Sequence, residues 1–152
     1  MKRYRPWASK ARGFTFIELT VVVIVVGILA VIAIGKLTST EGFAAQGYFE
    51  TAKAATRFAQ KTAVAQRSVV VVVVNPTSIN LCYTDAGCAS PVIDPTTGSP
   101  MSLAAPSGVS ISGPSQSFDG LGTATPGGVI GITGDGVTRN LTIEAQTGYV
   151  YD

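Results

Sequence analysis

The sequence predicts an α+β fold, with one long N-terminal α-helix whose second half packs on antiparallel β-sheets. Three observations carry this prediction. Residues Phe14 to Leu37 form an apolar run whose only charged side chains are Glu18 and Lys36. Helix-spaced apolar and small residues continue through 38–67, with no proline between Pro6 and Pro76. From Ser68 onward, short β-branched runs alternate with turns rich in Gly, Pro and Asn. The expected order is a leader over 1–13, a transmembrane helix over 14–37, an amphipathic helix over 38–67 and a β-rich head over 68–152.

Charge is distributed unevenly. The chain has 152 residues and a net charge of +2, but Lys2, Arg3, Arg5, Lys10 and Arg12 all precede Gly13, where no acid occurs. That asymmetry is a topology signal which keeps the leader in the cytoplasm and sends the C-terminal part outward; it is not a nucleic-acid surface. Histidine is absent, which removes the commonest general base and metal ligand.

The run from Phe14 to Leu37 rises about 1.5 Å per residue and is long enough for a hydrocarbon core of roughly 30 Å. A secretory signal would place its small cleavage residue after the apolar run. Here Gly13 comes before it, so cleavage would remove the charges and leave the helix on the mature protein. A carboxylate in such a segment costs on the order of 3 kcal/mol at the bilayer centre and less near an end. Glu18 therefore either snorkels to the headgroups or meets a positive partner.

Gly13-Phe14-Thr15-Phe16-Ile17-Glu18 resembles the processing site of type IV prepilins and pseudopilins. The resemblance implies cleavage between Gly13 and Phe14 by a prepilin peptidase and N-methylation of Phe14. It also implies an assembly contact in which Glu18 pairs with the amino terminus of a neighbouring subunit. The chain departs from the family at Gly35, where many type IV pilins have proline; glycine loosens the helix but keeps the N–H.

Over 38–67 the spacing of Ala44, Gly47, Thr51, Ala54, Ala55, Phe58 and Ala65, with Phe43, Tyr48 and Phe58 as the large residues, predicts the apolar face that meets the sheet. A single helix from Phe14 to about Arg67 would be roughly 80 Å long. Ser68–Val74 reads as a buried strand, Asn75-Pro76-Thr77-Ser78 as a turn and Ile79–Tyr83 as the returning strand. Cys82 and Cys88 are close enough for a disulfide in an oxidising compartment, with two buried thiols as the alternative. Residues 89–107 contain Pro91, Pro95, Pro100 and Pro106 and read as an irregular excursion. Val109–Ser112, Gln116–Phe118, Val129–Thr133, Thr138–Glu144 and Tyr149–Tyr151 are the remaining strands, with a hairpin at Gly134-Asp135-Gly136. Together they predict an antiparallel sheet of about five to seven strands.

The helix end Arg57–Ala65 leading into a valine strand, Phe118-Asp119-Gly120-Leu121-Gly122, and Thr142–Val150 resemble minor pilins and pseudopilins of the GspH/FimT type. The Cys pair, Asp94–Gly98 and Pro106–Val109 look most like the minor pilins of MSHA pili. The implied fold is pilin-like. The implied role is structural: a subunit of a type IV pilus that assembles, or primes assembly, through its hydrophobic N-terminal helix. A type II secretion pseudopilin and a membrane-anchored adhesin or DNA-uptake module are the alternatives. The implied partners are prepilin peptidase, other pilin subunits, the assembly machinery and the inner membrane. The head would be periplasmic before assembly and at the cell surface in the fibre afterwards.

Catalytic chemistry has no foothold in the sequence, and no cofactor or metal is expected. Without His no Ser-His-Asp or Cys-His arrangement can form, and two thiols alone do not make a zinc site. Asp85, Asp94, Asp119 and Asp135 each lie beside a turn residue and lack EF-hand spacing, so they read as turn residues rather than calcium ligands. After Arg67 the only basic residue is Arg139, so no nucleic-acid partner is expected.

Overall fold

The computed structural model describes residues 14–37, 40–83 and 87–152. The chain divides into two compact units, with the boundary after Thr38. The first unit contributes one helix, α1 (Phe16–Leu37). The second holds α2 (Thr40–Gln66), followed, among the described residues, by nine strands. Residues 38–39, which a single unbroken helix would have to cross, lie outside the described residues, as does the 1–13 leader.

Among the described residues all strand pairings are antiparallel, as expected, and they form two sheets that together hold more strands than the five to seven read from the sequence. The first holds β1 (Val70–Asn75), β2 (Ser78–Cys82), β3 (Ser102–Ala104), β5 (Gln116–Phe118) and β6 (Ala124–Thr125), in the order β3-β2-β1-β5-β6. The second holds β4 (Val109–Ser112), β7 (Gly128–Gly134), β8 (Val137–Ile143) and β9 (Val150–Tyr151), in the order β4-β7-β8-β9. The chain leaves the first sheet after β3, returns for β5 and β6, and leaves again. Strands this short carry no sequence mark of the sheet they join.

Local chemistry explains the joins. Gly134 pairs with Val137, so the β7–β8 turn is only Asp135-Gly136. Both residues have positive φ, 54° and 71°, as a type I′ turn requires. The valine run is central in its sheet, flanked by β2 and β5, and Val70 and Val72 are fully buried.

The face of α2 that packs on the sheets differs from expectation. Buried positions are Ala45, Tyr48, Phe49, Ala52, Ala55, Thr56, Ala59, Thr62 and Ala63, which recur at threes and fours. Of the residues expected inside, Ala55 and Tyr48 are buried; Phe43, Gly47, Thr51, Ala54 and Ala65 are exposed and Ala44 and Phe58 are half-buried. Alanines occur all round this helix, so periodicity alone cannot choose the stripe. The bulk of Tyr48 and Phe49 decides it, while Ala45, Ala52 and Ala59 let the sheets approach the helix backbone.

Residues 89–107 also differ from an irregular loop. Cys82 bridges to Pro91 and Ile93 to Pro100, and β3 pairs with β2 through Ile79 and Leu103. Val92 is buried in the core. Tyr48 donates its hydroxyl to the Leu103 carbonyl at 2.9 Å and so ties β3 to α2. Burial pushes the Tyr48 pKa up to about 12, partly opposed by a backbone hydrogen bond at Ile79, so it remains a donor.

Candidate assembly surface

At the start of α1, Thr15 is the N-cap. Its Oγ1 accepts from the Glu18 backbone N–H at 3.3 Å, and its carbonyl accepts from Leu19 N–H at 3.2 Å. Thr15-Phe16-Ile17-Glu18 has capping-box spacing, which puts the Glu18 carboxylate in the first helical turn near the positive end of the helix dipole. Glu18 is exposed. Phe14, expected as the mature N-terminus, is 80% exposed. Gly13 lies outside the described residues.

Beyond the cap, α1 is apolar on every side. Phe16, Ile17, Leu19, Val21, Val25 and Leu29 are all exposed, although they point in different directions round the helix. A helix of this kind is covered by lipid or by other protein, since water on all sides opposes it. Among the described residues no helix is long and apolar enough to cross a membrane. The side chains of α1 are described only as far as Ala30, roughly 22 Å of helix against a hydrocarbon core of about 30 Å.

In the head, Cys82 and Cys88 are joined in a disulfide with a Cα–Cα distance of 5.3 Å. Asp94 accepts from Thr96 N–H and Oγ1 at 2.8 and 2.7 Å. Asp119 accepts from the N–H groups of Leu121 and Thr123 and from Thr123 Oγ1 at 2.9, 2.9 and 2.8 Å. Both carboxylates are thus held by their own turns. The Thr96 and Thr123 hydroxyl hydrogen bonds are the main reason both pKa values lie below the ordinary carboxylate range. Asp85 lies outside the described residues. Among the described residues no group of three His, Cys, Asp or Glu side chains could hold a metal.

Contacts made by three side chains of α2 escaped the sequence reading. Gln60 Nε2 donates to the carbonyls of Gly122 and Thr147 at 3.0 and 2.8 Å, clamping two loops to α2. Arg57 donates to the Val150 carbonyl from Nη2 at 2.7 Å, and Lys53 pairs with Asp152. Both latch the edge strand β9 against the helix. Their only sequence signal is that long polar side chains recur along the margin of the buried stripe.

Comparison with known proteins places these features. Residues 8–34 match the prokaryotic N-terminal methylation motif. The fold is similar to the type IV minor pilin FimU of Pseudomonas aeruginosa PAO1 in two crystal forms. Against the P21 form the TM-score is 0.51 at 16% identity, covering 70% of this chain and 85% of that one. Against the P65 form it is 0.50 at 16% identity, covering 70% and 90%. No curated protein matches the chain. The fold is therefore that of a type IV pilin, and it follows a prepilin-like N-terminal motif.

Proposed function

We infer that this chain is a minor pilin of a type IV pilus, processed by prepilin peptidase between Gly13 and Phe14 and methylated at Phe14. The observation that carries this reading is α1: apolar on every side, headed by a methylation motif, and followed by a pilin-fold head. The full run to Leu37 spans the inner membrane before assembly, with the head in the periplasm. In the fibre, neighbouring subunits replace lipid around α1. Glu18, in the first turn, pairs with the Phe14 amine of a neighbour. Within pilins, the Cys82–Cys88 pair, Asp94–Gly98 and Pro106–Val109 favour the MSHA kind, nearest the minor pilin MshC. A pseudopilin of a type II secretion system would use the same mechanics in a different machine.

The test is mass spectrometry of the mature N-terminus from the native host. The expected species begins at N-methylated Phe14, and a chain still beginning at Met1 would overturn the reading. Deletion of the gene then separates the two machines, since loss of pili supports the pilin and loss of secretion the pseudopilin.

A further inference from the structure

Phe43 is 81% exposed, the most exposed aromatic side chain of the head among the described residues. It stands in the first turns of α2, where Tyr48 and Phe49 turn inward and are buried. Gln46 and Glu50 follow three and seven residues on, along the same side of the helix. Gln46 Oε1 accepts from Arg139 Nε at 2.6 Å, and Gln46 Nε2 donates to Glu50 at 3.3 Å. The amide thus stands between the cation and the acid. The ion pair that the described residues do form, Lys53 with Asp152, takes the other nearby carboxylate.

Arg139 Nη1 is shut off from water and has no acceptor among the described residues. A buried donor without a partner is costly, which favours an acceptor drawn in from outside. A cleft of about 350 Å³ opens there between α2 and β8, lined by Gln46, Phe49, Arg139, Asn140 and Asp152. With Asp152 held by Lys53, the uncompensated charge of the cleft is the Arg139 guanidinium, a donor suited to phosphate oxygens.

The length of the chain says what lies within reach. Three peptide steps separate Leu37 from Thr40, at most about 11 Å, and Phe43 is one helical turn further. Whichever way the head leans, Phe43 is within roughly 16 Å of the end of the apolar run. That run is about 36 Å long as a helix, against a hydrocarbon core of roughly 30 Å, so its end emerges among the headgroups. We propose that before assembly the head touches the membrane surface at this corner. Phe43 enters the boundary between headgroups and acyl chains, and Arg139 binds a phospholipid phosphate. The proposal rests on the pilin reading, in which the run to Leu37 spans the inner membrane.

The test uses the full-length chain in phospholipid nanodiscs. Trp7, the one native tryptophan, is replaced by Phe, and a single reporter is introduced as Phe43→Trp. Lipids carrying a nitroxide near the headgroup should quench its emission at least about twofold. Leu121→Trp, beside Val64 and about 30 Å further along α2, should be quenched little. Arg139→Gln should remove about half of the quenching at Phe43→Trp, and Arg139→Lys should keep most of it, since the charge remains. Inorganic phosphate should leave the quenching unchanged.

Equal quenching at positions 43 and 121, or none at 43, would overturn the proposal. Full quenching in Arg139→Gln would overturn the phosphate contact, and loss of quenching on adding inorganic phosphate would make the ligand a soluble anion instead of lipid. Ile24→Trp, in the middle of the apolar run, separates the two failures. Deep-lying nitroxides that quench Ile24→Trp while Phe43→Trp stays bright would refute the surface contact and leave the spanning helix standing. An unquenched Ile24→Trp would refute the membrane-spanning reading itself.

Discussion

At the residue scale, the tightest point in the head is where the 119–123 and 145–148 loops meet. A Cβ on Gly148 would lie 2.0 Å from the Gly122 carbonyl oxygen, and its φ of +62° already favours glycine. Gly148→Ala should therefore destabilise the head by about 3 kcal/mol, read as a lowered urea midpoint of the full-length protein in detergent. An unchanged midpoint would mean the two loops can separate freely. Asp119 gives a pH prediction with a definite sign. Its folded pKa lies below the ordinary 3.8, so its contribution is complete above that value and lost as pH falls through the lower folded value. Asp119→Asn should flatten the acid limb of the stability profile below about pH 4 by lowering the neutral plateau towards the acid value, since the contribution it removes is the one present above that pH.

At the element scale, α2 tolerates bulk on one side only. Ala59 is fully buried against the sheets, and Ala59→Leu should cost roughly 1–3 kcal/mol by overpacking. Ala54→Leu, on the open face, should cost under about 0.5 kcal/mol in the same unfolding experiment. If the two costs were equal, the assignment of the buried face would be wrong. This pair also marks where the sequence was legible. Seven of the nine described strands are readable within a residue or two, because β-branched runs and turn residues are local signals, whereas β3 and β6, three and two residues long, carry no such mark. The buried face of α2 is not, because alanine is compatible with both sides and tertiary packing makes the choice. The excursion over 89–107 looks irregular from its prolines, yet Val92 and Leu103 are pulled into order by backbone pairing with β2, which composition does not encode. At the N-terminus, the start of α1 and the place of Glu18 near it are legible within two residues, since a carboxylate and an apolar run are local, whereas the capping role of Thr15 comes from the structure alone. The contacts made by Gln60 and Arg57 join residues more than sixty positions apart and have no local mark.

At the scale of the whole molecule, one chain joins two compact units that treat their apolar side chains differently. The head buries its apolar side chains in its own core, whereas the described part of α1 buries almost none. Glu18→Val removes a first-turn carboxylate, at a cost of only about 0.3–1 kcal/mol to the helix itself. Processing at Phe14 should therefore persist, while recovery in sheared fibres should fall at least tenfold. Normal recovery would mean that Glu18 serves the helix end alone. Reducing Cys82–Cys88 opens a short loop and should cost about 2 kcal/mol on loop-entropy grounds, seen as an earlier thermal transition of the head.

The latch of Arg57 and Lys53 on β9 has a consequence for biogenesis. During synthesis α2 emerges early, while Val150 and Asp152, the groups that fasten β9 to it, emerge only after the rest of the described head. A chain that stops short of Val150 carries an intact N-terminus and every other strand, yet it leaves the outer edge of β8 unpaired and two cations on α2 without their partners. Such a shortened chain would keep the whole N-terminal motif. A protease that attacks open sheet edges would still recognise it, because pairing of β9 seals an edge of β8 that a shortened chain leaves open.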